Sequence, residues 1–383
     1  KGLFSYPTPF TPPTTEDDRL SWLRLIRSHR VGVATFHRLL GEHGTARTAL
    51  EALPGVARAA GVARYDPCPE SAAISEMRAG QACGARLLCL GDPDYPASLA
   101  EIPDAPPVLW AIGDTTILAR PTVAIVGARG ASALGTRMAR RLAEGLGAGG
   151  FVVASGLARG IDAVAHAAAL ATGTVAVMAG GVDHVYPAEN AALARDIAAR
   201  GVRLSEQPPG LEPMARHFPQ RNRIIAGLAR AVVVVEAAAQ SGSLITARIA
   251  LDQGREVLAV PGHPFDGRAA GCNMLIRDGA TLVRGAEDVI AALAGTPARP
   301  EAAPAETPPP AAVAASPAED RRGWRDQAAL HRQILDRLGP SPVAEDQLIR
   351  DLALPAARVT PELVMLEMEG QIQRAPGGLL SRV

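Results

Sequence analysis

The sequence predicts an α/β protein whose main domain is a Rossmann-like, doubly wound, mostly parallel sheet. Three observations predict this fold: short apolar runs rich in β-branched residues, alanine-rich helical stretches between them, and glycine-rich turns directly after the runs. Strand and helix alternating in this way are typical of a doubly wound sheet.

Several domains are expected, because 383 residues exceed one ordinary hydrophobic core. Composition is that of a globular protein, with 48% hydrophobic and 20% charged residues. The predicted segments are an extended proline-containing arm (1–19), a small helical domain (20–85), the Rossmann-like domain (86–295), a Pro/Ala-rich linker (296–322) and a winged-helix-like domain (323–383).

Apolar residues at three- and four-residue spacing predict helices in the first domain, beginning near Leu20 and again around Phe36. Between them, the glycine-containing turn 31–36 resembles that of a helix-hairpin-helix or SAM-like unit. Such a turn can contact a DNA backbone, and small helical bundles without DNA also carry it. Both interpretations stay open.

Seven apolar runs are predicted as strands of the main sheet, and an eighth, at 87–90, precedes them. Helices are predicted between the runs at 136–146, 161–171 and 243–253. The seven runs are 122–126, 151–154, 175–178, 202–205, 231–235, 256–260 and 281–283.

Three helices near 330–338, 345–352 and 360–369, followed by a hairpin over 371–383, predict the winged-helix-like tail. The third helix carries Glu362, Glu367 and Glu369 with no Arg or Lys between them. Because a DNA-reading helix is basic, we expect the tail to serve a protein contact or stability instead.

Formal net charge is zero, so a nucleic-acid site must be a local basic patch. Lys1 is the single lysine, and arginine therefore supplies the positive charge, with a guanidinium that binds phosphate bidentately. The four cysteines form no CxxC pair, and we expect neither a metal site nor disulfides. No long apolar run or leader pattern occurs, which predicts a soluble, cytoplasmic protein without membrane contact.

Glycine-rich turns follow four of the predicted strands. In an open parallel sheet, ligands lie beyond the carboxyl ends of the strands, where helix N-termini also point. Several such turns in one sheet favour an extended anionic ligand. The candidate phosphate-binding positions at these turns are Gly127, Arg129, Ser155, Gly156, Arg159, Gly160, Gly180, Gly181, Ser241, Gly242 and Ser243.

A nucleotide cofactor is not expected. The first turn, 127–130, lacks the G-x-G-x-x-G pattern, and Ser155 stands where a dinucleotide site needs an acidic residue. No Gly-Lys-Ser/Thr of a P-loop occurs either. The sequence therefore predicts neither a nicotinamide nor an ATP site.

The run 216–223 before the strand 231–235 joins several phosphate donors to an aromatic ring that can stack on a base. The alternative is a surface loop whose arginines pair with Glu206 and Glu212. The run adds five candidate DNA-binding residues: Arg216, Phe218, Arg221, Asn222 and Arg223.

Asp162 and His166 lie four positions apart on one predicted helix, but neither a nucleophile nor a metal cluster accompanies them. We interpret Asp162 as stabilising the helix start and His166 as packing or pairing locally. Glu236 is predicted to pair with an arginine of the 221–223 run. No catalytic residue is expected, and the protein is predicted not to be an enzyme.

Six motifs of the main domain, in this order, resemble the DNA-processing protein A (DprA/Smf) family. They are VAIVG at 123–127, ASGLARGIDAVAH at 154–166, YPAEN at 186–190, LSEQPPG at 204–210, FPQRNRII at 218–225 and SGSLITAR at 241–248.

This resemblance implies a protein that binds single-stranded DNA, protects incoming DNA, forms a homodimer and loads the RecA recombinase in natural transformation. It also implies that Arg129, the turn 156–160 and Arg221, Asn222 and Arg223 line the DNA pocket. The sequence departs from the family pattern in two places: Ala128 replaces Ser or Thr, and Gln220 replaces a basic residue.

The rival hypothesis is a nucleotide-processing enzyme, a phosphoribohydrolase on a related Rossmann-like fold. Such enzymes carry a P-G-G-x-G-T-x-x-E signature. The nearest match here, PGHPFDG at 261–267, lacks the second glycine and the Thr-x-x-Glu. A third hypothesis is a protein that senses small nucleotides.

Overall fold

The computed structural model describes residues 12–62 and 64–295, and in the tail 333–335, 337–338, 343–352, 354, 359, 363, 366, 372–375 and 379–382. The chain divides into two compact units, 1–299 and 300–383, and each is described by itself. The predicted linker 296–322 lies outside the described residues.

Four helices form the N-terminal part of the first unit, where Trp22 packs edge-on against Phe36 with ring centroids 5.2 Å apart. The first helix begins at Glu16, four residues before the expected start, because Thr15 and Asp18 form a reciprocal capping box. The predicted end of the arm at residue 19 therefore falls inside α1, and residues 1–11 lie outside the described residues. The helices are α1 (Glu16–Arg27), α2 (Val33–His43), α3 (Ala46–Ala59) and α4 (Glu70–Ala82).

Nine strands form one sheet in the order β1-β2-β6-β5-β4-β3-β7-β8-β9. The seven neighbouring strands β6-β5-β4-β3-β7-β8-β9 run parallel to one another. Strands β2 and β1 extend the sheet beyond β6 in antiparallel pairs. They are β1 (Arg86–Cys89), β2 (Val108–Gly113), β3 (Thr122–Val126), β4 (Val152–Ser155), β5 (Thr174–Val177), β6 (Val202–Ser205), β7 (Ala231–Val234), β8 (Glu256–Ala259) and β9 (Thr281–Leu282).

Both faces of this sheet are covered, and in the central strands β3, β4, β7 and β8 alternate residues enter different cores. In β3, Ala124 and Val126 pack on the side of the N-terminal helices, whereas Val123 and Ile125 face the other layer. The helices after β1 are α5 (Ala97–Ala100), α6 (Ala133–Ala148), α7 (Ile161–Ala169), α8 (Ala191–Arg200), α9 (His217–Leu228), α10 (Gly242–Asp252), α11 (Ala270–Arg277) and α12 (Ala286–Gly295).

The doubly wound α/β class is confirmed, and the seven predicted main-sheet strands agree with the structure to within one residue at each end. Strand β2 was not predicted. Helix α9, which contains Pro219, was not predicted either. Proline is tolerated there since it lies in the first helical turn, where its missing N–H has no intrahelical partner.

The N-terminal helices dock on the β2 and β6 side of the sheet. Arg27 binds Glu76 at 2.9 Å, and Glu76 also accepts a hydrogen bond from the indole of Trp110 on β2. The same Arg27 nitrogen, Nη2, also donates to the carbonyl of Glu206, 3.0 Å away. The helical part and the sheet therefore share one continuous hydrophobic core.

The second unit contains helix Glu345–Leu352 and a three-stranded antiparallel sheet of Val343–Ala344, Leu379–Arg382 and Ile372–Ala375. Its core is aliphatic and includes Ile334, Leu348 and Leu380. The acidic residues of the predicted third helix, Glu362, Glu367 and Glu369, lie outside the described residues.

In the described part of the chain, no helix combines the length and apolar character needed to cross a membrane. The described residues also include no group of three or more His, Cys, Asp or Glu placed to hold a metal ion.

Candidate nucleic-acid interface

The main cavity lies where the direction of chain progression through the sheet reverses. Strands β4 to β6 extend the sheet on one side of β3, and β7 to β9 extend it on the other. A crevice outside the carboxyl ends of the strands at such a switch point is the usual ligand site of this fold. Here it forms a cavity of about 470 Å³ between the turn after β3, the turn after β7 and the first turn of α9.

An aromatic and cationic stack stands at one wall of this cavity. The guanidinium of Arg129 lies over the ring of Phe218, 5.5 Å from its centroid, within the range of a cation–π contact. The ring of Tyr186 meets Phe218 edge-on at 5.7 Å. Arg129 and Phe218 also line a second cavity of about 300 Å³, so the stack forms a partition between two adjoining spaces.

Arg221 forms the floor of both cavities and is only 6% exposed. Burial lowers its pKa to about 10, while the charge of Asp162 raises it and that of Arg129 lowers it. Arg221 therefore remains charged at neutral pH. Its Nε has no hydrogen-bond partner among the residues that the structure describes.

Gly156 leaves the space that the Arg221 guanidinium occupies, because a Cβ at this position would overlap Nη1. Its amide and that of Ala158 donate to the Asp162 carboxylate, at 3.2 and 3.3 Å. Burial raises the pKa of Asp162, and Arg221 opposes that shift. Asp162, in the first turn of α7, thus holds the turn after β4. The sequence had predicted only that it stabilises the start of the helix.

His166 pairs locally beneath the same turn. The Thr174 hydroxyl donates to the Val153 carbonyl, so His166 Nδ1 donates to Thr174 Oγ1 at 2.7 Å. The amide of Leu157 donates to Nε2. Burial, together with the charge of Arg221, lowers the pKa of His166 to about 3, and the ring is neutral.

The N-terminus of α10 supplies the opposite wall. Ser241 caps this helix by accepting from the Ser243 amide, and Ser241, Gly242 and Ser243 all line the cavity. A helix N-terminus carries partial positive charge and free amides, which favour an anion. Gly127 and Asn222 line the cavity from β3 and α9.

Arg223 was expected beside Arg221, and the structure corrects this placement. Its guanidinium pairs with the Glu206 carboxylate and donates to the Asp104 carbonyl at 2.5 Å. Two positions along a helix correspond to a rotation of about 200°. Arg223 therefore lies on the side of α9 that faces the N-terminal helices, and for this arginine the alternative, pairing with Glu206, describes the structure.

The structure also corrects three positions at the turns after β4 and β5. Ser155 is fully buried, and its hydroxyl donates to the Ile125 carbonyl at 2.6 Å. Gly180 and Gly181 pack against the chain's own segment 208–213, into which a Cβ at either position would project. All three residues pack inside the turns, and none of them lines either cavity.

Glu236 does not pair with an arginine of the 221–223 run. Its carboxylate accepts from the amide and the hydroxyl of Ser132, at 2.9 and 2.5 Å, at the N-terminus of α6. Such a carboxylate stabilises the helix start. The prediction failed because the turns after β3 and β7 meet only in the folded sheet.

Two further candidate arginines lie at the rim. Arg159 lines the smaller cavity and forms an exposed ion pair with Glu189 at 2.9 Å. Arg216 is exposed just before α9 and contacts the ring of His217. The positive φ of Gly160, +73°, lets it approach the carbonyls of Ala128 and Arg129.

Sequence reasoning missed Arg268 and Tyr186 as site residues. Arg268 lines the larger cavity from the turn after β8, and Tyr186 lines the smaller one. The position of Arg268 after a predicted parallel strand is a signal that could have found it. Tyr186 is the first residue of the YPAEN motif at 186–190.

The fold and the cavity define a Rossmann-like protein with a ligand site at its switch point. The family model described as DNA recombination-mediator protein A matches residues 86–294. A DprA-like N-terminal HHH domain matches 16–79, and a DprA winged helix domain matches 297–378.

Curated proteins and solved structures agree with these matches. The DNA processing protein DprA of Bacillus subtilis is 46% identical over 209 residues, which cover 54% of this chain and 70% of that protein. The X-ray structure of DNA processing protein A from Streptococcus pneumoniae has a TM-score of 0.56 and 35% identity, covering 72% of this chain and 93% of that one.

A structure of DNA processing protein A from Helicobacter pylori, described by its single-stranded DNA binding mode, has a TM-score of 0.51 and 28% identity. The match covers 56% of this chain and 98% of the Helicobacter pylori chain. The chain belongs to the DNA recombination-mediator protein A family, whose curated members are called DprA or Smf. The resemblance stated from the motifs is thus confirmed.

Proposed function

We propose that this chain binds single-stranded DNA in the switch-point cavity and acts as a binding protein, not an enzyme. The observation that carries the proposal is Arg129 stacked on Phe218 at the cavity wall, opposite the N-terminus of α10. The arginine and the helix amides suit phosphates, and the ring suits an unstacked base.

Single-stranded rather than duplex DNA fits this arrangement. A base can lie on Phe218 only if its own face is free, which a paired and stacked base does not offer. Because the chain has no net charge, binding rests on the few arginines at the cavity and should weaken with salt.

Family membership supports the finer parts of the proposal: protection of incoming DNA, loading of the RecA recombinase in natural transformation, and a cytoplasmic homodimer. The structure of the Helicobacter pylori relative, described by its single-stranded DNA binding mode, supports the choice of ligand. Strand β9 is an edge of the sheet with Leu282 exposed, and an edge strand can pair with a second copy.

A binding role is also supported by how Asp162 and His166 are used. His166 is fully buried between Thr174 and the Leu157 amide and lines neither cavity. Asp162 lines the larger cavity, but its carboxylate accepts from the amides of Gly156 and Ala158. Release of free base from nucleoside monophosphates by the purified chain would instead favour the phosphoribohydrolase hypothesis.

The test is a titration of labelled single- and double-stranded oligonucleotides of one sequence at two salt concentrations. We expect the single strand to bind more tightly, and Phe218→Ala to weaken that binding at least fivefold, since one base stack contributes about 1–3 kcal/mol. Leu251→Ala, an exposed apolar position near the far end of α10, is the control. Equal affinity for both forms would contradict the proposal.

A further inference from the structure

A second aromatic ring projects into solvent from the turn after β8. Phe265 is 93% exposed, although burial of such a ring is favourable. The ring of His263 lies beside it, with centroids 5.5 Å apart and planes inclined by 42°. The fold of the described residues does not use this ring for packing.

The turn that carries Phe265 is held at both ends. Gly262 and Asn273 exchange hydrogen bonds of 3.1 and 3.0 Å between backbone and side-chain amide. The amide of Ala237, just beyond β7, donates to the Arg268 carbonyl at 2.7 Å. The exposed ring is thus presented by an anchored turn.

The same turn reaches the switch-point cavity. Strand β8 runs parallel to β7, so its turn lies at the edge of the sheet where the cavity opens. Arg268, three residues after Phe265, lines that cavity. Three residues span at most ~11 Å, so the Cα of Phe265 lies within that distance of the Cα of Arg268.

We propose that Phe265, together with His263, is a second base-stacking platform, on which single-stranded DNA continues from the switch-point cavity toward β8. This inference rests on the proposed function. Arg268 would bind the phosphate between the two platforms, because its exposed pair with Asp266 is weak and can be shared. Stacking on Phe218 and Phe265 would be tolerant of sequence, as every base has a flat face.

The experiment compares a short thymidine oligomer, long enough for the cavity alone, with a long one in fluorescence anisotropy titrations of the full chain. Phe265→Ala should weaken binding of the long oligomer about tenfold or more and leave the short one unchanged. Phe218→Ala should weaken both. Leu251→Ala serves as the control for loss of an exposed apolar side chain.

The outcomes separate this inference from the proposed function. If Phe265→Ala binds the long oligomer like the unchanged chain while Phe218→Ala loses affinity, the second platform is overturned and the proposed function stands. If the unchanged chain binds neither oligomer, the proposed function fails. A Phe265→Ala variant that changes only the sedimentation of the protein would assign the ring to a protein contact and overturn the platform.

A direct readout comes from Phe265→Trp. Stacking of a base on the new indole should quench its fluorescence when the long oligomer is added, and not when the short one is added. Equal quenching by both oligomers, or none, would contradict a platform beyond the cavity.

Discussion

Arg221 and Arg223 lie two positions apart on α9 and direct their guanidinium groups to opposite sides of it. Arg221 packs on Gly156 beneath the candidate DNA site, and Arg223 pairs with Glu206 below the N-terminal helices. One short helix therefore joins the candidate site to the helical domain, and each arginine has its own consequence when removed.

Arg223→Ala is expected to lower the free energy of unfolding by about 2–4 kcal/mol, because it leaves Glu206 buried without its main partner. Burial already raises the pKa of Glu206, and Arg223 opposes that shift. Urea unfolding measures the loss. Arg159→Ala, which removes only the exposed pair with Glu189, should change stability by less than about 1 kcal/mol. Equal effects of the two variants would contradict the structural role of Arg223.

Arg129→Ala should weaken single-strand binding without loss of stability, because its side chain stands at the cavity wall. If it contacts one phosphate, the slope of log K against log salt should fall in magnitude by about 0.7. Arg140→Ala, on the exposed face of α6, is the matched control. A slope unchanged from that of the native chain would exclude a phosphate contact by Arg129.

Gly156→Ala should be strongly destabilising and should abolish binding, since a Cβ would overlap the Arg221 guanidinium, which has little room to move. We expect a loss of at least about 2 kcal/mol by urea unfolding, as for other overpacked sites. Gly130→Ala provides the comparison, because nothing lies within 4 Å of its Cβ position. A fully stable Gly156→Ala variant would show that Arg221 can leave this position at little cost.

Stability should depend on pH through His166. Its pKa is lowered from 6.5 to about 3 by burial, so the unfolded chain binds one more proton between these values. The contribution of the neutral His166 ring to the free energy of unfolding is complete above pH 6.5. It is lost as the pH falls toward 3, and the loss amounts to at most about 5 kcal/mol.

His166→Asn cannot take up this proton. The variant should be less stable at pH 7, and its unfolding free energy should fall less steeply between pH 6.5 and 4. Because Arg221 and Asp162 lie close by and are present in both proteins, the free energy of unfolding of the variant is compared with that of the native chain at each pH. Parallel curves would show that His166 does not remain neutral in the folded state.

The sequence by itself determined the seven main-sheet strands, three of the helices between them, and the family. Buried parallel strands such as 122–126 and 231–235 are continuous apolar runs, and this pattern is local enough to read. The motifs at 154–166 and 218–225 likewise identified the site region, since both contribute to the cavities at the carboxyl edge of the sheet.

Only the tertiary structure decided what each side chain at that edge does. Whether Arg223 faces the cavity or Glu206 depends on the helical rotation of α9, and this helix was not predicted. Glu236 meets Ser132 across turns that are distant in the chain. Contacts of this kind arise when neighbouring strands bring their turns together, and no local pattern in the sequence encodes them.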